Sequence, residues 1–97
     1  MLTHVVCFRY RPAVSAAARA DHRARLAALG GGAVPSLRSL AVGADVLHTP
    51  RSYDAALVAT FDDRAGLAAY AEHPAHVPVA ALGRDLCADI VAVDFED

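Results

Sequence analysis

Residues 53–61, with the sequence YDAALVATF, decide the fold of this 97-residue chain. Alternate side chains of a β-strand point to opposite faces of its sheet, so the odd positions, which include Leu57 and Phe61, share one face. The even positions share the other face, and Ala56 and Val58 make that face apolar as well. Two apolar faces are typical of a strand that is covered on both sides. The segment therefore predicts a strand at the centre of a sheet.

Upstream of this segment the pattern predicts a strand, a helix and a second strand. The strands cover residues 2–10 and 37–46, where apolar residues are frequent. The helix between them begins after Ser15, a residue that caps helices, and ends at Gly30-Gly31-Gly32. Residues at helical spacing on it are Ala18, His22, Leu26 and Leu29.

Downstream of this segment the pattern predicts two helical pieces and a last strand. Asp62-Asp63 can cap a helix whose inner stripe includes Leu67 and Tyr70. Pro74 suits the first turn of a second helical piece. A strand follows over residues 87–96, so the order of elements is βαββαβ.

This order, with short connections, predicts an α+β fold, a ferredoxin-like sandwich that occupies residues 1–97 as one domain. Its helices cover only one face of a four-stranded antiparallel sheet. Strand parity gives the other face the residues Val5, Cys7, Ala56, Val58, Val91, Val93 and Phe95. Because that face is too apolar to remain in water, we expect a homodimer in which two sheets pack face to face as a dimeric α/β barrel.

The charge balance argues against nucleic acid as a partner. The formal net charge is −2 and the pI about 6.2, which provides no basic field for a phosphate backbone. The arginines of the first helix are interleaved with Asp21 and His22, which indicates a solvated helix face.

Membrane attachment is not expected either. No run reaches the ~20 apolar residues of a membrane span, and His4 and Arg9 in the first strand are unlike a signal peptide. Cys7 and Cys87 lack the spacing of zinc or redox motifs. We therefore expect a reduced, cytoplasmic protein.

The motif with the clearest chemistry is His73-Pro74-Ala75-His76, which follows Tyr70 at a helix boundary. Histidine titrates near neutral pH, so an imidazole and a phenol that meet in an apolar cavity can move protons on a bound organic molecule. The structural alternative is also open. Pro74 at the first position of a helix would make His73 a solvated flank and His76 a residue of the first turn.

These residues, taken together with others along the chain, resemble the stress-responsive dimeric α/β-barrel (Dabb) family. The matching segments are His4-Val5-Val6, Pro35, Val42-Gly43-Ala44-Asp45, Ser52-Tyr53-Asp54, Thr60-Phe61-Asp62, Tyr70, His73-Pro74-Ala75-His76 and Val93-Asp94-Phe95. The resemblance implies the ferredoxin-like fold and the homodimer. It implies a reaction less directly, because one fold hosts many chemistries.

In a plant polyketide cyclase of this family, the second histidine of the motif and the helix tyrosine are acid/base partners in an intramolecular aldol condensation. The resemblance gives these roles to His76 and Tyr70. The cyclase has larger polar residues near the positions of Ala27 and Ala55, so the resemblance implies a roomier and less polar pocket here.

We therefore expect a cofactor-independent enzyme that acts on a small hydrophobic carbonyl or polyketide-like compound, by aldol cyclisation or isomerisation. His76 is the expected base, Tyr70 the hydrogen-bond donor, and Asp94 the group that fixes the tautomer of His76. The expected substrate-binding residues are His4, Val6, Phe8, Leu57 and Ile90.

Several alternatives stay open. Tyr70 and His4 can be core residues with no catalytic role, and the protein can be a non-catalytic, stress-associated or ligand-binding member of the family. A cofactor-free oxygenase is a third possibility. A metal held by His73 and His76 with His4 or Asp94 is a weaker one, because the spacing is unlike that of common metal sites. No metal is therefore expected.

Overall fold

The computed structural model describes residues 1–97 and consists of one four-stranded sheet with three helices. A short 3₁₀ turn, Leu29–Gly31, extends the first helix. The elements are β1 (Leu2–Tyr10), α1 (Ala16–Ala28), β2 (Ser39–Ala44), β3 (Ala55–Phe61), α2 (Arg64–Glu72), α3 (Val77–Leu86) and β4 (Cys87–Glu96). With α2 and α3 taken together as the second helical unit, this βαββαβ order confirms the ferredoxin-like fold.

The strand order in the sheet is β2-β3-β1-β4, and every neighbouring pair is antiparallel. β1 lies at the centre and pairs with both β3 and β4. In this register His4 lies opposite Ala59 on one side and Asp94 on the other. The register therefore brings His4 and Asp94 to the same face of the sheet.

Local capping sets the starts of the first two helices. The Ser15 hydroxyl accepts a hydrogen bond from the Ala18 N–H, at 3.1 Å. The Asp63 carboxylate accepts one from the Gly66 N–H, at 2.9 Å. These side chains satisfy N–H groups that have no partner inside the helix, which stabilises each helix start by about 1 kcal/mol.

The two faces of the sheet differ sharply in burial. On the helix side, Leu57, Ala59 and Phe61 are buried, and Phe61 is completely enclosed. On the opposite side, Val93 is 64% and Phe95 is 47% exposed. The core of the single chain thus lies between the sheet and the helices, and the other face is a bare apolar surface.

The structure corrects several expected boundaries and shows the environment of His22. β2 is shorter than residues 37–46, and β3 begins at Ala55 rather than at residue 53. The last helix begins at Val77 rather than Pro74, because the His73 carbonyl accepts from the N–H groups of both His76 and Val77 in a turn that precedes the helix. His22 is completely buried, which confirms its helical spacing with Leu26 and Leu29 and excludes it from the solvated face of the arginines.

The two thiols, Cys7 and Cys87, are free. None of the helices is both long enough and apolar enough to cross a lipid bilayer.

Candidate active site

A cavity of about 320 Å³ lies between the helices and the sheet. Its volume is at the lower end of the ~300–1,000 Å³ that small-molecule sites occupy, and most of its lining is apolar, as in such sites. The lining residues are His4, Val6, Phe8, His22, Leu26, Leu57, Tyr70, His76, Val79, Ala80, Gly83, Arg84 and Ile90.

All the site residues predicted from the sequence line this cavity except Asp94. Strand alternation is responsible for part of this result, because His4, Val6 and Phe8 are alternate residues of β1 on the helix side. The prediction that Ala27 and Ala55 make this pocket roomier and less polar is wrong, since neither residue lines the cavity. Ala27 is exposed on the outer face of α1, and its neighbour Leu26 faces the cavity instead.

His76 lies at the start of α3, but its side chain turns back towards the end of α2. Its Nδ1 is 3.0 Å from the Ala71 carbonyl oxygen. A carbonyl can only accept, so Nδ1 carries the proton and donates it in this bond, which leaves Nε2 of the neutral ring without a proton. Burial lowers the pKa of His76 below its ordinary value of 6.5, an effect that the bond to Ala71 opposes and the nearby His4 and Arg84 reinforce. At neutral pH the ring is therefore a base.

Tyr70, on the last turn of α2, supplies the second functional group. Only 2% of this residue is exposed, and its ring centroid lies 4.3 Å from that of His76 and 5.2 Å from that of Phe61. Its hydroxyl makes no hydrogen bond to the protein, and the residue lines the cavity. Burial raises the pKa of Tyr70 to about 12. The phenol thus keeps its proton at neutral pH and can donate a hydrogen bond to a ligand.

His4 and Asp94 form a pair across the sheet. His4 Nδ1 is hydrogen bonded to the Asp94 carboxylate, as their opposed positions on β1 and β4 allow. The His4 ring lies 6.4 Å from that of Tyr70, centroid to centroid. Asp94 therefore orients His4. The predicted contact between Asp94 and His76 is wrong, because His76 Nδ1 donates to the Ala71 carbonyl instead.

His73 does not join the cavity. Its Nδ1 accepts a hydrogen bond of 3.0 Å from the Ala75 N–H, so the ring stabilises the turn between α2 and α3. The side chains of the chain form no cluster of three or more groups able to hold a metal ion. The two histidines of the motif thus have separate surroundings.

The sequence reasoning missed a third histidine in the cavity, His22 on α1. The Tyr10 hydroxyl and His22 Nδ1 share a buried hydrogen bond of 2.7 Å, and Phe8 packs edge-on at 5.0 Å between ring centroids. Burial lowers the pKa of His22, with a smaller effect from Arg23. The signal was present, because His22 shares its helical spacing with the buried Leu26 and Leu29.

Comparison with known proteins identifies the family. The model of the Dabb family, the stress-responsive A/B barrel domain, matches residues 2–97. A dimeric ferredoxin-like protein of unknown function from Thermobifida fusca is 33% identical, with a TM-score of 0.89 over 99% of this chain and 90% of that one. No curated protein matches the sequence.

Two further solved structures share the fold. A dimeric ferredoxin-like protein of unknown function from Jannaschia is 27% identical, with a TM-score of 0.81 over 99% of this chain and 98% of the other. A hydroxynitrile lyase from Passiflora edulis is 19% identical, with a TM-score of 0.85 over 97% of this chain and 90% of that one. At that identity, the likeness to the lyase concerns the fold alone.

Proposed function

The chain belongs to the stress-responsive α/β-barrel (Dabb) family, and on that premise we propose that it is an enzyme of acid/base chemistry on a small hydrophobic carbonyl compound. His76 is the base and Tyr70 the hydrogen-bond donor. Enolisation needs only these two groups, so the proposed reaction requires no cofactor.

One observation carries this proposal: His76 and Tyr70 line the same apolar cavity, and each has a polar group without a protein partner. The bond from Nδ1 to the Ala71 carbonyl leaves Nε2 as the basic nitrogen, and the neighbouring phenol has no protein partner. Burial moves the two pKa values apart, downwards for His76 and upwards for Tyr70. Such a separation assigns the base and the acid at neutral pH.

The proposed step begins when His76 Nε2 removes a proton from the carbon next to a ketone carbonyl. The C–H electron pair becomes the carbon–carbon double bond of an enolate, whose oxygen accepts a hydrogen bond from Tyr70. Attack of the enolate carbon on a second carbonyl of the same molecule closes a ring, and the imidazolium returns the proton to the new alkoxide. Return of the proton to a different carbon gives an isomer instead. Cyclisation of a polyketide-like chain is our first choice.

The Passiflora edulis protein is called a hydroxynitrile lyase. It shares the fold of the present chain, whose reaction class and substrate are both proposed from its own cavity.

The reaction class can be tested without the natural substrate. We expect the protein to accelerate hydrogen–deuterium exchange at the carbons next to the carbonyl of 4-phenylbutan-2-one in D₂O, followed by proton NMR. Denatured protein and the Tyr70→Phe variant are the controls. Saturable binding of the ketone without faster exchange would contradict the proposal and favour a non-catalytic ligand-binding protein. Oxygen consumption with a quinol would favour an oxygenase.

We also propose that two copies pack sheet to sheet in a homodimer, in a reducing, cytoplasmic setting to which the two free thiols are suited. The exposed apolar face supports the dimer, because Val58 on β3 and Val91 and Val93 on β4, the two strands that flank β1, project on the side that carries no helix. Relatives from Thermobifida fusca and Jannaschia are described as dimeric. A stable interface of this kind buries about 1,200–2,000 Å².

Val58→Asp and Val91→Asp place a carboxylate in this interface and should produce monomers or prevent folding. Val77→Asp makes the same change at an exposed valine of α3, away from the sheet, and should leave the assembly intact. Sedimentation at micromolar concentration is the measurement. A wild-type monomer would contradict the proposed dimer.

A further inference from the structure

The cavity has a second polar end, at His22, which the proposed reaction does not use. His22 is completely buried and lines the cavity, and its Nε2 is the one fully enclosed side-chain polar atom of the chain without a hydrogen-bond partner. Buried polar groups in folded proteins are nearly always paired, with protein, water or ligand. An unpaired ring nitrogen on a residue that lines a ligand-sized cavity therefore calls for a partner.

The surroundings of His22 hold this nitrogen in place, and the residue of α3 that faces it carries no side chain. The bond between Nδ1 and the Tyr10 hydroxyl fixes the ring, and Phe8 packs against it. The residue of α3 that faces Nε2 is Gly83, which also lines the cavity. A Cβ at that position would lie 3.2 Å from Nε2, so any side chain there would crowd the nitrogen, and the glycine avoids this contact.

The two polar ends are spaced along β1. His4 lies beside Tyr70, and Phe8 lies beside His22. These two β1 residues are four positions apart, a distance of roughly 13 Å at about 3.3 Å per residue. Val6, which lies between them, contributes to the apolar lining together with Leu57. The cavity therefore suits an elongated molecule with an apolar middle.

We propose that His22 Nε2 binds a hydroxyl group at the far end of the substrate, while the carbonyl at the other end reacts at Tyr70 and His76. A hydroxyl both donates and accepts, so it pairs with this nitrogen whichever ring nitrogen carries the proton. The inference rests on the proposed function and sharpens it. The substrate class is an elongated ketone that carries an alcohol or phenol remote from the reacting carbonyl.

The test compares the affinities of two probes, 4-phenylbutan-2-one and 4-(4-hydroxyphenyl)butan-2-one, by titration calorimetry. In the wild-type protein we expect the hydroxyl to improve affinity about 3- to 10-fold, the usual gain from one net hydrogen bond. Since each protein is characterised by the ratio of its two affinities, a general change in binding cancels. Equal affinities in the wild type, or no binding of either ketone at millimolar concentration, would overturn the proposal.

Two variants locate the gain. His22→Asn keeps an amide where Nδ1 contacts Tyr10 but has no group at the position of Nε2, and Gly83→Ala covers Nε2 while adding a strong helix former. Both variants should bring the ratio of the two ketone affinities near one. His22→Gln, whose amide reaches the position of Nε2, should restore part of the preference for the hydroxylated ketone. A ratio that survives in both His22→Asn and Gly83→Ala would refute the role of His22.

A measurement on the wild type alone covers the case in which the variants do not fold. The ¹⁵N NMR signal of His22 Nε2 should move when the hydroxylated ketone saturates the protein and stay in place with the parent ketone, and the same response to both would overturn the proposal. Binding and proton exchange are measured separately. If the hydroxyl improves affinity through His22 but no exchange occurs, the proposed reaction is contradicted and the hydroxyl site stands. If exchange occurs but the hydroxyl does not improve affinity, the hydroxyl site is contradicted and the proposed reaction stands.

Discussion

Two tyrosine–histidine pairs lie on the helix side of the same sheet, and they differ in how their polar groups are used. Tyr10 and His22 are hydrogen bonded to each other at 2.7 Å. The rings of Tyr70 and His76 lie 4.3 Å apart between centroids, tilted by 42°, but His76 is bonded to the Ala71 carbonyl and the Tyr70 hydroxyl has no protein partner. Polar groups that satisfy each other hold the structure together, and those left unsatisfied towards a cavity are available to a ligand.

The largest expected effect follows from removing the base of the second pair. His76→Ala should lower the rate of ketone exchange about 10²–10⁴-fold, the usual contribution of a positioned proton acceptor. The measurement is the exchange rate by NMR at saturating ketone, with circular dichroism to show that the variant is folded. Wild-type exchange in this variant would end the catalytic interpretation of the pair.

Tyr70→Phe should lower the same rate about 10²–10³-fold, because it removes one donor to the developing oxyanion and keeps the ring. Stability should change little, since the lost hydroxyl has no protein partner to leave unpaired. Chemical denaturation gives the free energy of unfolding for comparison. A large loss of stability with little loss of rate would show that Tyr70 is structural, like Tyr10.

The pH profile distinguishes the base from the donor. Burial lowers the pKa of His76, so the neutral, active form should persist down to a pH below 6.5. Further acidification protonates the base, and the rate should fall about tenfold per pH unit. At alkaline pH the rate should stay level through pH 9, because the pKa of Tyr70 is about 12. A rate that rises on acidification would contradict His76 as the base.

Tyr10→Phe is the matched change in the first pair, and its main effect should be on stability. It leaves the buried Nδ1 of His22 without its partner, which costs about 1–3 kcal/mol. The free energy of unfolding, measured in urea, should fall by that amount. An unchanged free energy of unfolding would mean that the hydrogen bond between Tyr10 and His22 does not stabilise the fold.

The smallest expected effect is that of His73→Ala, the other histidine of the motif. Its ring only accepts from the Ala75 N–H in a turn, so we expect a nearly unchanged exchange rate and a loss of stability near 1 kcal/mol. Equal damage from His73→Ala and His76→Ala, with recovery on adding zinc, would favour the metal site instead.

Much of the fold could be predicted because the information for it is local. The bounds of the first and last strands, residues 2–10 and 87–96, agree with the structure. The cap residues Ser15 and Asp63 also act as their sequence positions predict. The start of α3 could not be predicted in this way, because a proline at residue 74 fits a turn as well as a helix start, and the hydrogen bonds to the His73 carbonyl decide between them.

The candidate site likewise has a part that local sequence predicts and a part that only the packing of elements decides. By itself, the sequence determined which strand residues share a face, because side-chain alternation follows from backbone geometry, and so it placed His4, Val6 and Phe8 together. Only the tertiary structure decided that His76 turns to the Ala71 carbonyl and that His22 is buried against Tyr10. A hydrogen bond depends on distances of about 3 Å between groups on different elements, and the packing of helices on the sheet sets those distances.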